Sequence, residues 1–207
     1  MKKYIDLKNC NECSMIKEAG KIIKSGGLVL FPTETVYAIG ANGLDANAVK
    51  KIYLAKERKF SNPINLLVSN MEMIESVAQN ISTLEYKLME AFFPGPFTII
   101  LQKSSIVPDI VTANKQFVGV RMPSGIIANK LIEYAGVPIA APSANISGKV
   151  SGTSFDDIFE MKEMIPELSE QREYPETFFF TPLYFDNRSF GYAVIGFTDI
   201  EAQFTEV

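Results

Sequence analysis

Four short segments of this 207-residue chain gather hydroxyls, cations and amides at spacings that could do chemistry. Pro32-Thr33-Glu34-Thr35-Val36-Tyr37 places hydroxyls directly after an apolar run, where they either reach a ligand or cap the turn. Lys56-Glu57-Arg58-Lys59-Phe60-Ser61-Asn62-Pro63 sets two cations two residues apart at the end of a helical pattern. Lys56 lies seven residues after Val49 and so projects from the apolar face of that helix. Such cations could grip phosphates, or could end a helix in solvent. Arg121-Met122-Pro123 follows another apolar run, and an Arg there suits a carboxylate, a phosphate or a structural ion pair. Ala141-Pro142-Ser143-Ala144-Asn145-Ile146-Ser147-Gly148 is dense in small polar groups, either a ligand-hugging loop or a plain one.

Absences narrow the chemistry further. The chain has no His, which removes Ser-His-Asp and Cys-His catalysis and imidazole-based zinc sites. Cys10 and Cys13 form a C-x-x-C pair, but no second pair completes four ligands and polar residues, not a strand, precede it. They read as incidental reduced thiols, and no protein-held metal is expected. There is no G-x-x-x-x-G-K-[ST] and no G-x-G-x-x-G, so any nucleotide is held by another design.

The elements that must position these clusters alternate between helix and strand. Met15, Ile16, Ala19, Ile22 and Ile23 line a helix that ends at Gly26-Gly27. Leu28–Phe31 is a strand stopped by Pro32. Asp45 caps a second helix, with Val49, Ile52 and Tyr53 inward. Ile64–Val68 is a buried strand, and Leu84, Leu88, Ala91 and Phe92 mark a helix closed by Pro94-Gly95-Pro96. Phe97–Leu101, Phe117–Val120 and Val137–Ala141 are strands, the last preceded by a helix on Ile127, Leu131, Tyr134 and Ala135. This is an α/β pattern of a size for one domain.

Charge is uneven along the chain. Residues 1–155 carry 17 Lys and Arg against 12 Asp and Glu, a net +5, and residues 156–207 carry 3 against 12, a net −9. The body suits an anionic ligand, and the tail differs in kind. No apolar run approaches the roughly 18–20 residues of a membrane span. Met1–Asp6 holds no apolar stretch, so a cytoplasmic protein without a membrane partner is expected.

Taken together, the motifs resemble those of the YrdC-type threonylcarbamoyl-adenylate synthases. The matching text begins with Lys24-Ser25-Gly26-Gly27-Leu28-Val29-Leu30-Phe31-Pro32-Thr33-Glu34-Thr35-Val36-Tyr37, then Lys56-x-Arg58 with Asn62-Pro63. It continues with Phe93-Pro94-Gly95-Pro96-Phe97-Thr98, Val120-Arg121-Met122-Pro123 and the 141–148 loop, in the same order. The resemblance implies a single α/β domain, with a twisted mixed sheet around a deep, positively lined cavity. It implies a nucleotidyltransferase that turns L-threonine, bicarbonate and ATP, with Mg²⁺, into threonylcarbamoyl-AMP and pyrophosphate. Downstream transferase proteins then move the threonylcarbamoyl group to tRNA, and direct contact with tRNA or double-stranded RNA is an open expectation. By the same resemblance Lys56 and Arg58 bind the ATP phosphates, and Asn62, Ser143, Asn145 and Ser151 complete the nucleotide site. Thr35, Arg121 and Ala141 hold threonine, Arg121 through its carboxylate.

The chain also departs from that pattern. Ala38 stands for a usual Gly, Glu57 and Lys59 for Gly and Pro, Leu67 for a frequent His, and Phe117 for a small polar residue. Residues 1–155 form the domain body. Residues 156–207, with Phe178-Phe179-Phe180 and a strand around 192–197, replace the family's Gly- and Ser/Thr-rich closing strand. They are expected to complete the same domain. The departures leave room for a paralogue acting on another carbamate or on carbamoyl phosphate. A non-catalytic RNA- or nucleotide-binding module is the alternative from another class.

Overall fold

The computed structural model describes residues 12–149, residue 151 and the strands 181–185 and 188–193. The chain runs α1 (Glu12–Lys24), β1 (Val29–Pro32), β2 (Tyr37–Asn42), α2 (Ala46–Ala55), β3 (Leu66–Leu67), α3 (Met71–Val77) and α4 (Thr83–Phe92). It continues with β4 (Ile99–Gln102), α5 (Asp109–Thr112), β5 (Phe117–Arg121), α6 (Ile126–Ala135), β6 (Ile139–Ala140), β7 (Thr181–Phe185) and β8 (Arg188–Ala193). Six strands form one sheet in the order β1-β2-β6-β3-β5-β4. It is mixed, since β3 and β5 are parallel and every other neighbouring pair is antiparallel.

Alternation along the strands gives the sheet two packed faces. Ile39, Leu66, Val118, Val120 and Ala140 point to one face and pack with Val49, Ile52 and Tyr53 of α2. Ala38, Leu67 and Ile139 point to the other and pack with Ile16, Ala19 and Ile23 of α1 and Ile127, Leu131 and Ile132 of α6. The α1–α6 pair is close enough that a Cβ on Gly20 would lie 2.7 Å from the backbone of Tyr134. Helices α1 and α6 cover only part of their face. Beyond them, Ile100 of β4 and Phe117 of β5 stay 59% and 57% exposed. This uncovered half of the sheet is where the site lies.

Local signals explain most boundaries. Asp45 accepts from the Asn47 and Ala48 amides and starts α2. Gly136, at φ 65°, ends α6 in the left-handed conformation that glycine adopts without strain. Ser82 and Glu85 form a reciprocal capping box on α4. Strand β1 ends at Pro32 as expected, with Pro32 itself the last paired residue, opposite Tyr37. One expectation needs correction. Helix α4 exists, but Leu84, Ala91 and Phe92 are exposed, and Met89 is the side chain it buries. Phe92 instead packs on Phe97, ring centroids 5.1 Å apart. In the tail, β7 and β8 pair with each other as a two-stranded sheet. Cys10, the Met15 side chain, Phe178-Phe179-Phe180 and residues 194–197 lie outside the described residues.

Candidate active site

A cavity of about 260 Å³ opens on the uncovered half of the sheet. Its floor is apolar and small: Ala38 from β2, Leu67 from β3 and Ala141 just after β6. Its polar rim is Thr33, Thr35, Arg58, Asn65, Arg121 and Ser143. Five expected residues therefore meet here: Thr35, Arg58, Arg121, Ala141 and Ser143.

The first cluster is the hairpin turn between β1 and β2. The buried Thr33 hydroxyl donates to the Val36 carbonyl (2.7 Å) and accepts the Thr35 and Val36 amides, both at 3.2 Å. Thr33 thus builds the turn, and Thr35 is carried into the cavity. Arg121, at the end of β5, faces that turn. Its Nη2 donates to Glu34 Oε1 at 2.8 Å and to Thr35 Oγ1 at 3.2 Å, and its Nε donates to the Gly95 carbonyl at 3.3 Å. Arg121 is ion-paired to Glu34 and also lines the cavity. Among the described residues none of these bonds uses Nη1, so one edge of the fork remains for a ligand.

Glu34 was not singled out by sequence reasoning, although it sits inside the first cluster. Burial alone would raise its carboxyl. The hydrogen bond from Arg121, the amides of Glu34 and Ser124 and the Arg121 charge outweigh this and hold it below its ordinary 4.5. Glu34 is ionised at neutral pH and orients Arg121. Its Oε2 is buried and without a hydrogen-bond partner among the described residues.

Lys56 and Arg58 part company. Arg58 reaches the cavity wall, steadied by bonds from Nε to the Asn62 carbonyl (3.2 Å) and from Nη2 to the Pro63 carbonyl (2.8 Å). Lys56 is 1% exposed and outside the lining. Its ammonium donates to the Ser143 and Asn145 carbonyls from beneath. Burial, then the nearby Arg58 charge, lowers its pKa to about 8. Glu57 between them is exposed, with φ 50°.

The 141–148 loop runs on from β6 beside β2. Ile39 donates to the Pro142 carbonyl (3.1 Å) and Ala144 to the Tyr37 carbonyl (2.7 Å). Asn145 organises this loop, its amide donating to Ile146 and Lys149 and its Oδ1 accepting from Ser143 Oγ. Ser151 Oγ lies 3.5 Å from that same Oδ1. Asn62 is exposed and contributes its carbonyl to Arg58 and to the Tyr53 hydroxyl. Asn62, Asn145 and Ser151 are thus set around the cavity and not in its lining. Asn65, which does line it, went unremarked in the sequence, because it interrupts an otherwise apolar strand.

An arrangement of two guanidinium groups, hydroxyls and an apolar floor can hold two anions and neutralise charge between them. Residues 21–168 match the family model Sua5/YciO/YrdC, described as "Telomere recombination". The chain is 49% identical over 145 residues to a threonylcarbamoyl-AMP synthase of Pyrococcus abyssi, covering 70% of this chain and 43% of that one. A crystal structure of P. abyssi Sua5 complexed with L-threonine matches with a TM-score of 0.70 at 48% identity, over 72% of this chain and 44% of that one. The crystal structure of E. coli YciO matches with a TM-score of 0.66 at 26% identity, over 81% and 77%. The chain spans less than half the length of the P. abyssi protein it matches.

Proposed function

The chain belongs to the Sua5/YciO/YrdC family, and from that membership we propose that it synthesises threonylcarbamoyl-AMP from L-threonine, bicarbonate and ATP. The observation that carries this reading is the meeting of Arg58, Arg121, Thr35 and Ser143 on one cavity. The amino nitrogen of threonine bonds to the carbon of bicarbonate, and water leaves to give a carbamate. A carbamate oxygen then attacks the α-phosphorus of ATP, the bond to the β-phosphate oxygen breaks, and pyrophosphate departs.

Such a displacement depends on positioning and charge neutralisation more than on a proton-transfer base, which suits a chain without His. Arg121, steadied by Glu34, would take the threonine carboxylate beside the Thr35 hydroxyl and Ala141. Arg58 would take the phosphates. Lys56 would act through the loop it holds, setting Ser143 and Asn145 for the nucleotide, with Asn62 and Ser151 supporting the two ends. Among the described residues no group of three acidic, Cys or His side chains could hold a metal. Mg²⁺ would therefore arrive on the ATP phosphates. The product would pass to a threonylcarbamoyl transferase acting on tRNA, in the cytoplasm where these reactants meet. No helix among the described residues is long and apolar enough to cross a membrane.

The test is pyrophosphate release by the purified 207-residue chain. Release that needs both L-threonine and bicarbonate is expected. ATP turnover indifferent to threonine would overturn the reading.

A further inference from the structure

The residue just before strand β3 presents a polar side chain to the cavity. Asn65 lies two residues before Leu67 and so on the same face of the sheet. Its neighbours on that face offer no polar side chain beside it: Leu67 and Ala141 are apolar and Gly119 has none. The carboxamide lies over Gly119, so closely that a Cβ there would come within 2.2 Å of Asn65 Oδ1. The backbone is fixed, since the Asn65 carbonyl accepts the Ala141 amide at 3.1 Å. Among the described residues the carboxamide itself makes no hydrogen bond, and it is exposed to the cavity. The Leu67↔Arg121 pair places Asn65 roughly 7 Å along the strand from the row that holds Arg121. It is on the side of Pro63, where the Arg58 guanidinium is bound.

A carboxamide offers a donor and an acceptor side by side. Carboxylates and phosphates are acceptors only and are served here by the two guanidinium groups. The group best matched by a carboxamide carries an N–H beside a C–O. In the synthase reading, on which this inference rests, that group is the carbamate. It must form between the end that holds the threonine carboxylate and the end that holds phosphate. We propose that Asn65 binds this carbamate. Its NH₂ donates to one carbamate oxygen and its Oδ1 accepts the carbamate N–H. No bond to Asn65 is made or broken. The second carbamate oxygen is left facing the α-phosphorus, and a labile anion is held in place until it is adenylylated.

The experiment is steady-state pyrophosphate release by the full chain, with bicarbonate varied at saturating ATP and L-threonine. Wild type, Asn65→Leu and Asn65→Asp are compared, with circular dichroism confirming their folds. Asn65→Leu keeps size and removes the polar edge, and is expected to raise the bicarbonate KM at least about tenfold while leaving the ATP KM within about twofold. Asn65→Asp keeps shape but loses the donor and adds a repelling charge, and is expected to be worse. An active wild type with the bicarbonate KM unchanged in both variants would overturn the role of Asn65 alone. A wild type without threonine- and bicarbonate-dependent release would sink the synthase reading, and this inference with it.

Discussion

The Lys56 ammonium donates to the carbonyl of Ser143, 87 residues further along the chain. This one contact ties the end of α2 to the loop after β6, and a second bond to the Asn145 carbonyl doubles the tie. A buried cation is here a fastener for backbone, which makes its removal informative.

Lys56→Met retains the bulk and strands the carbonyl acceptors. A loss of about 1–3 kcal/mol is expected, readable as a lower melting temperature, together with a raised ATP KM. The folded pKa near 8 lies below the ordinary 10.5, so the unfolded chain binds more protons between these values. Stability of the wild type should therefore rise with pH from 8 toward 10.5 relative to Lys56→Met. A pH-independent difference between the two melting curves would remove Lys56 as the buried titrating group.

Arg121 and Glu34 form a half-buried pair, and each should affect threonine before ATP. Arg121→Ala is expected to raise the threonine KM more than the ATP KM, and Glu34→Gln to do so more weakly by freeing the guanidinium. The lowered Glu34 pKa means its stabilising contribution is present above 4.5 and lost as pH falls through the folded value. The stability gap between wild type and Glu34→Gln should close on acidification. Equal KM changes for both substrates would argue against a threonine-side role.

Glu57 holds φ 50°, a conformation that costs a residue with a Cβ about 1–2 kcal/mol. It is exposed, at the position where the family resemblance implies Gly. Glu57→Gly should relieve part of that strain and raise the melting temperature by a few degrees. A drop in melting temperature would show that the Glu57 side chain contributes more than its backbone costs.

Gly119→Ala puts a methyl into the space of the Asn65 carboxamide. The obstacle is the far end of a side chain, so the fold should survive and the carboxamide should swing aside. The variant is expected to behave like Asn65→Leu in bicarbonate KM, at near wild-type stability. Unchanged kinetics would mean that the position of the carboxamide is immaterial.

Much of the frame was legible because its signals are local. The α2 cap at Asp45, the α6 stop at Gly136 and the apolar runs of β4 and β5 each follow from a few neighbouring residues. Strand β2 was not legible. Tyr37–Asn42 is buried on both faces and reads as small residues without alternation. A side chain at Gly40 would lie 2.7 Å from both Ile139 and Phe31, a constraint that exists only once the sheet has assembled. The face of α4 was misread because Leu84 and Phe92 are apolar yet exposed, 68% and 53%. In the site, five residues were found from motif text, but the division of labour between Lys56 and Arg58 was not. Both are cations two residues apart, and only the path of the 141–148 loop buries one and exposes the other.

The position of β6 has a consequence for how the chain is made. Two residues, Ile139 and Ala140, join β2 on one side to β3 on the other. Until they arrive, β1-β2 is a lone hairpin and β3-β5-β4 a separate three-stranded set, each with a bare edge. A nascent chain emerging from the ribosome would thus hold two incomplete half-sheets from the completion of β5 until β6 is made. Their exposed edges are the surface that a chaperone would shield, and the late closure by β6 is the step at which they stop being adhesive.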